Sequence, residues 1–152
     1  ILIGYNRGLI VLWNRSENTA TKTFISNQQL ESLCWKEHGR HFISSHNDGS
    51  YMEWDIDQSE KPCGEPVTTY GPYSCRAIPK LLTRTMNDEQ LLVFSGGLPR
   101  ATYSDKYTVS VIHGEKHVAF DFTSKVIDFL LIDSRSMEEI EDGENEEVDN
   151  QT

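Results

Sequence analysis

The sequence predicts an all-β fold assembled from short antiparallel sheets, and three observations carry that prediction. Apolar, β-prone runs at 1–5, 9–13, 19–25, 30–35, 42–46 and 50–54 alternate with turn chemistry at Asn6-Arg7-Gly8, Asn14-Arg15-Ser16, Glu37-His38-Gly39-Arg40 and Asn47-Asp48-Gly49. An Asp-Gly pair between two apolar runs is a strong hairpin signal, since glycine supplies the positive φ that a tight turn requires. No apolar stripe of 3.6-residue period extends over roughly 11 positions before residue 134. Lastly, the run 4–14 repeats at 45–55: Asn6 meets Asn47, Gly8 meets Gly49, Trp13 meets Trp54 and Asn14 meets Asp55, an offset of 41 residues. A period of about 40 to 45 residues with a Trp-Asp ending marks the four-stranded blade of a WD40-type β-propeller.

Each element of the repeat has a physical reason. Gly8 and Gly49 stand at hairpin positions that need positive φ. Trp13 and Trp54 are expected to fill equivalent slots between neighbouring sheets, with a partner for each indole N–H. Asp48 is placed to brace its turn by accepting hydrogen bonds from backbone amides or a nearby side chain, and Arg7 removes that brace from the first copy. Asp55 completes the Trp-Asp pair, and Asn14 is its weaker copy.

The third unit is less regular. Strands are expected at 76–84, 91–97, 107–113 and 116–122, with 99–106 lengthening one hairpin loop. Residues 126–132 read as the opening strand of a fourth unit. The strand count is about three, four, four and one, with the first unit short of its inner strand. Since a closed propeller has typically 4 to 8 blades, the chain is expected to be an incomplete propeller of about three blades, part of a larger ring or of a truncated product, with its sheet edges open. The partial propeller is expected over 1–133 and an acidic disordered tail over 134–152.

Charge supports that division and limits the partners. The chain has 152 residues and a formal net charge of −10, of which residues 133–152 carry −8 from nine acids against Arg135. An acidic chain is a poor fit to nucleic acid or to simple electrostatic attachment to anionic lipid. Apolar runs are about five residues long where a membrane span needs about 20. No secretion signal is visible, and three irregularly spaced cysteines fit a reducing cytosolic setting better than a disulfide scaffold.

Reactive side chains give weak signals. Cys34, His38 and His41 have zinc-like spacing, but two flank a turn and a fourth ligand is missing. His46 beside Asp48 resembles a base with its orienting carboxylate. Together these residues form the alternative reading, a propeller-based metal-dependent hydrolase, against which stand a buried thiol, turn histidines and a hairpin brace. His113 and His117 flank a turn glycine and read as exposed polar residues. Ser95-Gly96-Gly97 lacks the lysine of a phosphate loop and reads as a strand end where sheets approach closely. Ser136 before Glu138 and Glu139 is a weak acidophilic-kinase pattern, read as solvated linker. No catalytic, cofactor or metal residue is assigned. The function-bearing surface is expected on the loops 61–73 and 99–106, where Arg100, Tyr103, Lys106 and Tyr107 form a candidate partner-binding cluster, because arginine and tyrosine are enriched in binding hot spots.

Several runs resemble the lethal giant larvae family of WD-repeat proteins: 4–13, 29–35, 44–51, Tyr70-Gly71-Pro72-Tyr73-Ser74-Cys75-Arg76-Ala77-Ile78, Ser95-Gly96-Gly97-Leu98-Pro99-Arg100-Ala101, and 118–129. The resemblance covers residues 1 to about 133, and ordinary WD repeats lack the Tyr-Gly-Pro-Tyr and Ser-Gly-Gly-Leu-Pro-Arg-Ala segments. The related tomosyn branch is less similar across the Tyr-Gly-Pro-Tyr segment. The resemblance implies a non-catalytic, cytoplasmic scaffold of the cell cortex and cytoskeleton, built from two propellers, of which this chain is part of the first. Implied partners are non-muscle myosin II, the atypical protein kinase C complex and syntaxin-type SNARE proteins, in polarity and exocytosis, with a link to small-GTPase control. The family's phosphorylated basic loop has no counterpart here, and the acidic end departs from the pattern.

Overall fold

The computed structural model describes residues 1–101 and 107–134. Three antiparallel sheets follow one another along the chain. The first comprises β1 (Leu2–Gly4), β2 (Leu9–Asn14) and β3 (Thr19–Ile25) in the order β1-β2-β3. The second runs β4-β5-β6-β7, formed by β4 (Leu30–Trp35), β5 (His41–His46), β6 (Ser50–Asp55) and the two-residue β7 (Val67–Thr68). The third is β8 (Leu81–Met86), β9 (Glu89–Ser95), β10 (Tyr107–His113) and β11 (Lys116–Phe122), paired in sequence order. A single 3₁₀ turn, Glu37–Gly39, joins β4 to β5. This is the meander of successive propeller blades. The 41-residue repeat superposes β2 on β6, so the first sheet is short of the counterpart of β4, its inner strand.

Two apolar layers hold the sheets together. Between the first and second sheets lie Ile10 and Phe24 on one side and Phe42, Met52 and Trp54 on the other. The aromatic contacts there are closely spaced: Phe24 meets Phe42 edge-on at 5.0 Å and Trp54 at 5.8 Å, while Phe42 stacks on Trp54 at 6.2 Å. Ile43 packs with Ile78, Leu81, Leu92 and Phe94 between the second and third sheets. Period-two alternation produces both layers, since successive strand residues face opposite sheets. A hydroxyl relay reinforces the second layer at its inner end. Leu81 N–H donates to Ser32 Oγ (3.1 Å), Ser32 lies 2.7 Å from Ser45 Oγ, and Ser45 donates to the Ile78 carbonyl (2.9 Å).

The structure differs from the sequence expectation in four places. The inner strand of the third unit starts at Leu81 rather than 76, because Arg76 and Ala77 pair with the loop after β9, Ile78 N–H bonds to the His46 carbonyl (3.1 Å), and Pro79 has no N–H to give to a ladder. β9 ends at Ser95, since Gly96 and Gly97 take positive φ of 73° and 74°. Residues 126–132 form no strand. A ladder needs a neighbour, and this segment is instead tied to Lys80, whose ammonium bonds to the Asp128 carboxylate and the Phe129 carbonyl (2.7 Å) and lies 5.2 Å from the Phe129 ring centre. The two tryptophans also diverge. Trp54 is 1% exposed in the first layer, whereas Trp13 is only half-buried. By the repeat, Trp13 faces away from the second sheet, and no described sheet lies on that side. The acidic tail, read as disordered, falls from residue 135 onward outside the described residues.

Candidate functional site

The two sequence segments that ordinary WD repeats lack come together in space. Residues 70–78 leave β7, and residues 95–101 leave β9. Arg76 N–H donates to the Leu98 carbonyl (2.8 Å), Arg100 N–H donates to the Ser74 carbonyl (2.9 Å), and Cys75 bridges Pro99 antiparallel between them. Gly97 N–H adds a bond to the Ala77 carbonyl (3.0 Å). The loops thus zip into a short two-stranded platform at one end of the sheets. Gly96 makes the approach possible, because a Cβ there would stand 2.4 Å from the Ala77 carbonyl oxygen.

Tyrosines three residues apart have opposite roles in this platform. Tyr70 points into the third sheet, with its hydroxyl 2.7 Å from Ser110 Oγ and 3.1 Å from His117 Nε2 and its ring against Phe94. Tyr73 is 79% exposed. Between them the Gly71–Pro72 bond is cis. Arg100 donates from Nε to the Cys75 carbonyl (3.1 Å), so backbone holds its guanidinium plane. Of the expected binding cluster, Arg100 belongs to this platform. Tyr107 stands in β10 opposite Phe122, and Tyr103 and Lys106 lie outside the described residues. Of the loop 61–73, only its end enters the platform. Sequence reading missed that the two motif segments are one surface, since their pairing joins residues about 25 apart.

The residues of the repeat occupy a second, buried group. Trp54 Nε1–H donates to Ser44 Oγ (2.8 Å), and that hydroxyl lies 2.9 Å from His46 Nε2. The Ser44 hydroxyl thus links the indole N–H to the imidazole. Nδ1 faces the backbone of Gln28 and Gln29 and meets no hydrogen-bond partner of good geometry. Burial holds the His46 pKa below its ordinary value, and the charge of Asp48 offsets this only in part. Asp48 Oδ1 accepts from Ser50 N–H (3.0 Å) and Ser50 Oγ–H (2.6 Å), both within its own turn. Gly8 and Gly49 have φ of 96° and 81°. A Cβ on Gly49 would lie 2.5 Å from Cys75 Cβ, so this turn also seats the platform. Asp55 accepts from Asp57 N–H (2.9 Å) and from Arg40 (3.2 Å), and these bonds hold its carboxyl below the usual range.

The residues of the hydrolase alternative are not assembled into a metal site among the described residues. Cys34, His38 and His41 belong to no cluster able to hold a metal among the described residues. The Cys34 thiol turns to the Trp35 carbonyl, and His41 Nε2 faces Asp55 at 3.6 Å. His46 is fully buried and meets Ser44 within its own sheet. His113 and His117 do not pair: His113 faces the Met86 carbonyl and Glu89, and His117 faces Tyr70. The platform carries an exposed aromatic, Tyr73, and the guanidinium of Arg100, whose Nε is held by the Cys75 carbonyl.

The architecture is that of a WD40-type β-propeller protein. It is similar to the β-propeller domain of Cps50 (Swd1) from Myceliophteria thermophila, with a TM-score of 0.53 over 90% of this chain and 38% of that one, at 14% identity, a likeness of fold alone. Sequence comparison goes further. The family model described as LLGL2 matches residues 66–149, more than half of the chain. The mouse lethal(2) giant larvae protein homolog 1 is 47% identical over 143 residues, 91% of this chain and 14% of that protein. The zebrafish protein named LLGL scribble cell polarity complex component 2 is 46% identical over 136 residues, covering 87% and 13%. The lethal(2) giant larvae protein of Drosophila pseudoobscura is 38% identical over 144 residues, covering 93% and 12%. The chain belongs to the lethal giant larvae family, and it spans about a seventh of the length of the mouse relative. Among the described residues, no helix is long and apolar enough to cross a membrane.

Proposed function

We propose that this chain forms part of a non-catalytic cell-polarity scaffold, a stretch of propeller whose loops dock other proteins. Family membership is the observation that carries the reading, together with relatives named for a cell polarity complex. The platform supports it, being a hydrogen-bonded surface with an exposed tyrosine, built from the two segments that ordinary WD repeats lack. The partners proposed from the family resemblance are non-muscle myosin II, the atypical protein kinase C complex and syntaxin-type SNAREs. The proposed location is the cytoplasm, at the cortex and along the cytoskeleton, with a role in exocytosis and small-GTPase control. The test is immunoprecipitation of the natural protein carrying this segment from its own polarised cells. Myosin II heavy chain, the kinase and a syntaxin are expected in the precipitate. Recovery of none of the three would remove the reading.

A further inference from the structure

His46 is a buried titratable side chain that the docking reading does not use. It ends β5 and is 0% exposed. Its Nε2 lies 2.9 Å from Ser44 Oγ, the same oxygen that receives the Trp54 indole N–H. Its Nδ1 has no hydrogen-bond partner of good geometry, and the backbone of Gln28 and Gln29 lies beside the ring. A neutral imidazole suits this setting, because one nitrogen carries no proton. A protonated one does not. It has an N–H at each nitrogen, so Nδ1–H is buried without an acceptor and Nε2–H must share an oxygen already taken by the indole. The charge meets one opposing group among the described residues, Asp48 in the adjoining turn, whose carboxylate is committed to Ser50. The other groups that meet His46 are neutral: Ser44 on β5, Gln28 and Gln29 on the link from β3, and the Ile78 backbone.

The backbone of the same residue is a junction. Its carbonyl receives Ile78 N–H (3.1 Å) and Gly49 N–H (3.3 Å), and the Asn47 N–H next to it donates to the Gln29 carbonyl (3.0 Å). In the ladder His46 stands opposite Leu30, whose N–H reaches back to the Asn6 carbonyl (2.9 Å). The link between the first two sheets, the Asp48 turn and the 70–78 arm of the platform thus converge on one residue. A charge on the ring is relieved only when the ring reaches water, and from full burial that moves the strand end that carries the carbonyl.

We propose that His46 is an acid-sensitive latch: protonation of its ring releases Ile78 and the Asp48 turn from the end of β5 and unseats the 70–78 arm of the platform before the sheets themselves unfold. The lowered pKa of the buried ring gives the direction. The released form, with the ring in water, takes up its proton from about pH 6.5 downward. The latch is therefore shut at neutral pH and opens progressively as pH falls from there toward the folded pKa. This inference goes beyond the scaffold reading and does not rest on it.

The test is amide hydrogen exchange of the natural protein carrying this segment, read by mass spectrometry from about pH 7.5 to about pH 5 and corrected for the intrinsic pH dependence of exchange. Protection over 47–49 and 76–78 is expected to fall with pH by up to about tenfold per unit, the slope of one proton taken up on opening. The fall should be the same in dilute urea, because the opening exposes little surface, whereas the β10–β11 hairpin should remain better protected and respond to urea as global unfolding does. Protection over 47–49 and 76–78 that stays level through this range would overturn the proposal. So would a loss equal across all three sheets, which is global unfolding. His46→Gln and His46→Asn each keep a polar side chain with no proton to gain, and both should flatten the fall. A fall of unchanged slope in both variants would assign it to another group and overturn the latch, and the wild-type series stands without them.

Discussion

Trp54 is the residue on which the first inter-sheet layer turns. It touches rings from both sheets and satisfies its indole N–H on Ser44. Truncation to alanine should cost about 3 to 5 kcal/mol in denaturant unfolding, the scale of a large aromatic cavity. Asp48→Ala should cost less, about 1 to 2 kcal/mol, because two partners in one turn lose their acceptor while remaining near water. His46 predicts a pH effect of definite sign. Its folded pKa lies below the unfolded value of about 6.5, so the unfolded chain takes up the proton first. Its contribution is fully present above that value and declines as pH falls from there toward the depressed folded pKa. Asp55 acts lower down, since a carboxyl held below its usual range gives up stability as pH falls from the ordinary carboxylate value through its folded pKa. Thermal melts at a series of pH values should therefore fall in two stages, and His46→Gln should remove the upper one.

At the scale of elements, strands were readable wherever a strand is closed by its own turn. β3, β4, β10 and β11 stand where alternation and turn residues place them, since hairpin register depends on neighbours a few residues away. Strand ends that depend on distant partners were not readable. The start of β8 depends on such partners, because Arg76 and Ala77 are claimed by a loop some 20 positions later and Ile78 by the His46 carbonyl. The 126–132 segment was misread because apolar, β-branched composition promises a strand that only a neighbour can realise. Substitution at the turn should expose the same dependence. Gly49→Ala combines a positive φ with contacts of 2.5 Å to Cys75 and 2.8 Å to Arg76, and the loss should exceed the roughly 1 to 2 kcal/mol of the backbone conformation alone. Equal melting temperatures for wild type and Gly49→Ala would show that the platform does not rest on this turn.

For the whole molecule, two sheet faces lie at the ends of the series. Trp13 lies on one, and Val118, Phe120 and Phe122 are exposed on the other beside Ile127 and Leu130. Patches of this size on a sheet face are normally covered. Lys80 holds the segment after β11 against the third sheet by three contacts, so Lys80→Ala in the natural protein should raise amide hydrogen exchange over 126–132 before it changes the global melt. Unaltered exchange there would mean that other contacts position the segment.

Residue order alone was enough for the all-β class, the 41-residue repeat, the hairpin turns and the family, because these rest on local periodicity and on strings of neighbouring residues. The candidate site was legible only in halves. Both loop segments were recognisable as unusual strings, yet nothing in either string says that Arg76 meets Leu98 or that Arg100 meets Ser74. Burial is a property of what lies across the gap, so packing alone distinguished Trp54 from Trp13 and Tyr70 from Tyr73, and set His46 in the interior.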